Sequence, residues 1–193
     1  MRIFVTGANG QLGQELVRCV TAAGHTAIGS THESLDITNE QAVNAAIGDA
    51  KPDVVIHAAA WTAVDACESD PNKAMLVNGT ATAYIAAAAH AVGAHVLYIS
   101  TDYVFDGTKT SPYVEADVPN PTSVYGESKL AGERALGATD AIVRIAWVSG
   151  YHGANMVKTI LRLRNEPQLR FVNDQIGNPT FADDAAAMIV RLA

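Results

Sequence analysis

Tyr125 and Lys129 stand one helical turn apart in Ser123-Val124-Tyr125-Gly126-Glu127-Ser128-Lys129. That spacing puts both side chains on one face of a helix. A phenol is a weak acid, with a pKa of about 10, and a nearby ammonium favours the phenolate. Such a pair makes a proton donor that works near neutral pH. With 6 Tyr in the chain, the spacing also arises by chance, as a solvated Lys beside a half-buried Tyr. Its weight comes from the glycines near the N-terminus.

Gly7-Ala8-Asn9-Gly10-Gln11-Leu12-Gly13 follows the β-branched and aromatic run Arg2–Thr6 and opens a helical pattern through Leu12, Leu16, Val17 and Val20. Glycines between a strand and a helix let a phosphate approach bare amides at a positive helix end. The spacing is G-x-x-G-x-x-G, so the general dinucleotide fingerprint is met in context and not to the letter. A second strand, His25–Gly29, brings Ser30-Thr31-His32-Glu33 to the place where an acid would bond the ribose hydroxyls of NAD. Ser30 holds that place. A neutral residue there removes repulsion toward a 2'-phosphate, and His32 adds to the attraction. The preferred cofactor is NADPH, with NADH still open.

The elements around these motifs alternate. A helix is expected from Asn39 to about Ile47, with Thr38 and Gln41 in capping-box spacing. Asp53–His57 reads as a third strand ending in Ala58-Ala59-Ala60, small residues against which a flat cofactor can lie. Asp70-Pro71 reads as the start of a long helix to about Val92. Ala94–Ser100 is a fourth strand, delivering Thr101, Asp102 and Tyr103 at its carboxyl end, where open α/β sheets place ligands. Residues 105–121 are a loop, Thr122–Leu136 a helix and Ala141–Trp147 a fifth strand. Helix Met156–Arg164, strand Leu169–Val172 and helix Ala182–Leu192 complete the chain. This order predicts a Rossmann-like, doubly wound parallel sheet with helices on both faces, in one domain spanning 1–193.

Hydrophobic residues at 49% and charged residues at 17% fit a compact core. A net charge of −7 argues against a nucleic-acid surface but leaves room for a phosphorylated small ligand. Cys19 and Cys67 read as buried thiols of a reducing compartment, so the expected location is cytoplasmic. No stretch reaches membrane-spanning length. The six His residues have no metal-ligand spacing, and no metal is assigned.

Taken together, these pieces resemble the extended short-chain dehydrogenase/reductases, and among them the dTDP-4-dehydrorhamnose reductase family. The resemblance is carried by residues 5–13, Leu35-Asp36-Ile37, residues 58–65, residues 100–107 and Tyr125–Lys129. Arg144–Val148 and Asn173–Thr180 separate it from the epimerases and dehydratases that share the first half. The resemblance implies reduction of the 4-keto group of dTDP-4-dehydro-6-deoxy-L-mannose to dTDP-L-rhamnose. Gly7, Gly10, Gln11, Leu12 and Gly13 would hold the pyrophosphate. Ser30, Asp36 and Ile37 would meet the adenosine end. Ala58, Ala59, Ala60, Trp61 and Thr62 would line the cofactor's middle. Tyr125 would give the proton. Lys129 would bond the nicotinamide ribose and keep the phenol acidic, and Thr101 would bond the substrate oxygen and tune Tyr125. Asp102, Tyr103 and Trp147 would touch the dTDP-sugar, although Trp147 on its strand reads equally as core.

Family members run on past the equivalent of Ala193 with a segment that completes a substrate lobe, so that lobe is expected to be mostly absent here. A homodimer is left open. Two further readings stand beside the reductase. One is a non-catalytic, cofactor-binding or regulatory subunit, against which the intact Tyr125–Lys129 pair argues. The other is an epimerase or dehydratase of a different nucleotide sugar.

Overall fold

A computed structural model describes residues 1–193. Five short strands, β1 (Arg2–Thr6), β2 (Thr26–Ser30), β3 (Val54–His57), β4 (His95–Thr101) and β5 (Ala141–Ile145), form one sheet in the order β2-β1-β3-β4-β5. Every pairing is parallel. The strands alternate with helices α1 (Gln11–Ala22), α2 (Glu40–Ala50), α3 (Val64–Ser69), α4 (Pro71–Ala74), α5 (Ala81–Ala91) and α6 (Val124–Glu133). This is the Rossmann-like sheet that the alternating pattern predicts.

The two faces follow from the two-residue period of a strand. Ile3 and Val5 turn toward α1 and join Leu16, Val54, Ile56 and Leu97. Phe4 turns the other way and joins Val43, Ile47, Val55, Ile85 and Tyr98, under α2 and α5. Both faces are covered, so the middles of β1, β3 and β4 are apolar and buried. The last helix, α8 (Ala182–Leu192), closes the first face through Ala182, Ala186, Ile189 and Val190.

Several local expectations are corrected. Helix α2 is capped by Asn39, whose side chain accepts the Ala42 N–H at 3.1 Å, while the Thr38 hydroxyl turns back to Asp36 at 2.7 Å. The long helix after Asp70 is interrupted by a π-helical turn at Met75–Thr80. The fifth strand stops at Ile145, because Trp147 adopts a left-handed φ of 49°. No strand forms at Leu169–Val172. Instead β6 (Val148–Ser149) pairs with β7 (Thr180–Phe181), beside a short helix α7 (Met156–Arg162) with no buried residue.

Candidate functional site

In the strand order β2-β1-β3, the chain leaves β1 toward opposite sides, and open sheets bind ligands at such a switch point. The loops after β1 and β3 meet there. Gly7 has φ +68°, and a Cβ on it would lie 2.9 Å from the backbone N and Cα of Ala59. A Cβ on Gly13 would overlap the Gly7 carbonyl oxygen. The glycines therefore serve close packing as well as access. Gly10 is the N-cap of helix α1, and no side chain caps that N-terminus. Its first amides, those of Gln11, Leu12 and Gly13, lie on a positive dipole end beside an exposed Gly10. This cradle fits a dinucleotide pyrophosphate.

Side chains around the turn are otherwise engaged. Leu12 enters the core at 8% exposure. Gln11 reaches across the site, with Nε2 donating to the Val148 carbonyl at 2.9 Å and Oε1 accepting from Asn155 at 2.7 Å. It ties the glycine turn to the segment holding β6 and α7, a link with no sequence signal. On the β2 side, Ser30 is buried and its carbonyl accepts the Ala8 N–H at 2.9 Å. Asp36 is exposed and accepts both the N–H and the hydroxyl of Thr38. Ile37 packs against the second core.

After β3, Ala58, Ala59 and Ala60 are half-buried and Thr62 is exposed. Ala59 donates its N–H to the Thr6 hydroxyl at 3.1 Å. Trp61 is gripped by Asn78, which accepts its N–H at 2.8 Å and donates to its carbonyl at 3.0 Å, with the Lys73 ammonium 4.4 Å from the ring centroid. Asn78 lies in the π-helical turn. Such turns recur at functional sites, and sequence reasoning missed this one because nothing local marks it.

Helix α6 places the central pair. Ser123 caps it by accepting the Gly126 N–H at 3.1 Å, and Glu68 of α3 accepts the Val124 N–H at 2.8 Å. A Cβ at Gly126 would overlap the Tyr103 carbonyl, so glycine lets α6 lie against the chain leaving β4. Tyr125 is 8% exposed, its ring edge-on to Tyr103 at 5.5 Å. Lys129 is 2% exposed and donates to the Ile99 carbonyl at 2.7 Å, with its ammonium 4.0 Å from the Tyr98 ring centroid. Thr101, at the end of β4, accepts the Tyr103 N–H at 3.2 Å and donates to Asp102 at 3.1 Å.

The expected acid phenol is corrected. Burial pushes Tyr125 up to about 12, with the Thr101 hydroxyl drawing it down and the Asp102 carboxylate adding to the rise. Burial likewise lowers Lys129 to about 7, against the pull of Glu133. An amine this deeply desolvated is a weak source of positive charge, so the fold alone does not acidify Tyr125. Tyr125 holds its proton at neutral pH.

Beside this pair lies a cavity of about 290 Å³ lined by Asp102, Tyr103, Trp147, Met156 and Gln175. Trp147 is 38% exposed, so it is not core. Its left-handed backbone turns the ring out of the strand line, and a Cβ on Gly177 would lie 2.6 Å from the indole nitrogen. Burial raises the Asp102 carboxyl above its usual range. Met156 and Gln175 were missed by sequence reasoning. Gln175 lies in the motif 173–180, while Met156 shows only helical spacing.

This sheet, its glycine turn and the Tyr–Lys helix define a Rossmann-fold protein of the extended short-chain dehydrogenase/reductase class. The RmlD substrate binding domain family matches residues 1–193, and the chain belongs to that family. It is 45% identical over 190 residues to the dTDP-4-dehydrorhamnose reductase of Burkholderia thailandensis, covering 96% of this chain and 63% of the relative. It is 42% identical to the spore coat polysaccharide biosynthesis protein SpsK of Bacillus subtilis, covering 99% of this chain and 69% of that protein. The chain thus spans about two thirds of the length of such relatives. A dTDP-4-dehydrorhamnose reductase from Clostridium acetobutylicum superposes with a TM-score of 0.94 at 44% identity, over 100% of this chain and 70% of the other. The Bacillus anthracis reductase in complex with NADP gives 0.94 at 39% identity, over 99% and 69%. No helix is long and apolar enough to cross a membrane.

Proposed function

We propose that this chain takes part in reducing the 4-keto group of dTDP-4-dehydro-6-deoxy-L-mannose to dTDP-L-rhamnose, with NADPH as preferred donor and NADH as a second, in the cytoplasm. The observation that carries the reading is the convergence of Thr101, Tyr125 and Lys129 on the carboxyl end of β4, where Thr101 bonds Tyr125 and Lys129 donates to the Ile99 carbonyl, with the cavity lined by Asp102, Tyr103 and Trp147 at the same strand end. When bound, a reduced nicotinamide would supply a hydride to the carbonyl carbon. The chain's own residues deal with the oxygen. As negative charge builds there, the Tyr125 O–H gives its proton and the Thr101 hydroxyl donates a hydrogen bond. Lys129 would hold the nicotinamide ribose, and Asp102, Tyr103 and Trp147 would hold the sugar nucleotide.

Ser30 supports NADPH, since a buried neutral side chain at the end of β2 sets no charge against a 2'-phosphate. The NADP-bound relative adds to that support. The test is loss of absorbance at the reduced-nicotinamide band when the protein, the keto sugar and NADPH or NADH are mixed. Cofactor binding without turnover of the keto sugar would turn the reading toward a non-catalytic subunit.

A further inference from the structure

His57 ends β3 with its ring fully buried, and it takes no part in the proton transfer proposed for Tyr125. It stands in a row across the sheet. Thr6 of β1 is its ladder partner on one side and Tyr98 of β4 on the other, with the His57 and Tyr98 rings stacked at 5.4 Å. Thr6 and Thr82 of α5 are as deeply buried as the imidazole. The Thr6 hydroxyl lies 2.7 Å from Nδ1, and the Thr82 hydroxyl lies 3.2 Å from Nε2. Polar groups buried this deeply cost free energy unless each is paired, and a fully paired set specifies one geometry.

The protons in this row can be assigned one by one. Thr82 Oγ1 lies 2.7 Å from the Asn78 carbonyl oxygen, which has no hydrogen of its own, so the Thr82 hydroxyl proton lies on that line. Thr82 is left as an acceptor toward His57, and Nε2 therefore carries the hydrogen. At the other end, the Ala59 N–H donates to Thr6 Oγ1 at 3.1 Å. The Thr6 proton has no acceptor except Nδ1, so Nδ1 is bare. A second proton on the ring would leave the Thr6 hydrogen without a partner and set a cation against Lys129 of α6. Burial and that charge hold the ring down to about 3. The bonds form a one-way chain, from the Ala59 N–H through Thr6, His57 and Thr82 to the Asn78 carbonyl.

Both ends of the chain lie at the site. Thr6 leads directly into Gly7, where a Cβ would lie 2.9 Å from the Ala59 backbone, and Asn78 grips both backbone groups of Trp61. We propose that His57, held as the neutral Nε2–H tautomer, is the positioning residue that aligns the glycine turn with the loop from Ala59 to Trp61. The consequence for NADPH rests on the reading under Proposed function; the tautomer and the alignment do not.

NMR of nitrogen-15-labelled histidine in the full chain reads the tautomer, with His57→Gln identifying the His57 signal among the six. Nε2 should carry a hydrogen, Nδ1 should carry none, and the ring should not titrate between about pH 5 and 8. This is read in the parent protein, whatever the stability of the variants. The alignment is read by amide hydrogen exchange in Thr6→Val and Thr82→Val, which each remove one hydroxyl from opposite ends of the chain. Amides of α8, on the other face of the sheet, serve as the internal standard. Relative to them, Thr82→Val should speed exchange at Ala59 about tenfold, and Thr6→Val should do the same at Trp61. A purely local role would confine each effect to its own end. A hydrogen on Nδ1, titration within that window, or effects confined to their own ends overturns the proposal. NADPH affinity should fall roughly tenfold in Thr82→Val, and an unchanged affinity there also overturns it. A parent protein that binds no NADPH counts against the reductase reading, and the tautomer and the exchange rates then decide this one alone.

Discussion

Asn78 donates to the Ser128 hydroxyl at 3.0 Å across 50 residues of sequence, and this bond ties the loop after β3 to the helix of Tyr125 and Lys129. The same amide holds both backbone groups of Trp61, and Ser128 in turn donates to the Tyr125 carbonyl at 2.7 Å. The loop proposed to face the cofactor and the proposed proton donor are thereby fixed relative to each other through one side chain. Asn78→Ala leaves buried partners unmatched and should cost about 1–3 kcal/mol of stability. Thermal melting reads that loss. NADPH affinity should weaken with it, and an unchanged melting temperature would refute the clamp.

Tyr125→Phe keeps the ring that meets Tyr103 edge-on and removes only the proposed proton source. Turnover of the keto sugar should drop about 10²–10⁴-fold, while NADPH binding and melting temperature stay near the parent. Equal turnover in the variant would remove Tyr125 from the chemistry.

Gly13→Ala puts a methyl group onto the Gly7 carbonyl oxygen, a backbone atom that cannot swing aside. Overpacking of this kind typically costs about 1–3 kcal/mol. Here it should also distort the glycine turn. Calorimetry should show cofactor affinity falling by more than the stability loss alone explains.

Lys129 imposes a pH dependence whose sign is fixed. Its folded value is about 7 against an ordinary 10.5, so the unfolded chain binds more protons between those two pH values. Stability should therefore rise with pH through that window on account of this group. Lys129→Met removes the desolvation cost, so its advantage over the parent should be largest below pH 7 and shrink as pH climbs toward 10. Denaturant titrations at several pH values measure the difference.

Asp106 works in the opposite direction. Hydrogen bonds from Asn120, the Thr108 backbone and the Tyr113 and Thr108 hydroxyls hold its carboxyl far below its ordinary 3.8. A depressed carboxyl stabilises above its unfolded value and loses that contribution as pH falls through the folded one. Asp106→Asn should speed amide hydrogen exchange across residues 105–121 at neutral pH. The parent should show the same loss of protection, relative to the intrinsic exchange rate, only in strong acid.

Much of this was legible in the sequence. Ile3, Phe4 and Val5 alternate between two faces because a strand has a period of two, and the glycine turn after Thr6 marks the site's edge without any tertiary information. Asp70 is a helix cap, accepting the Lys73 N–H at 3.0 Å as Asp-Pro implies. Trp147 was less legible. In sequence it continues an apolar run, but its backbone departs from the strand at φ 49° and sends the ring to a cavity shared with Met156 and Gln175.

The chain's own order of residues determined the parallel sheet, the helix that puts Tyr125 and Lys129 on one face, and the strand end that brings up Thr101. These depend on contacts a few residues apart, where periodicity and turn chemistry act. Only the tertiary structure decided the electrical state of that pair. Whether an amine is dry and what carbonyl it meets depend on Ile99 and Tyr98, brought in from β4. Desolvation is a property of everything packed around a group, and no spacing along the chain encodes it.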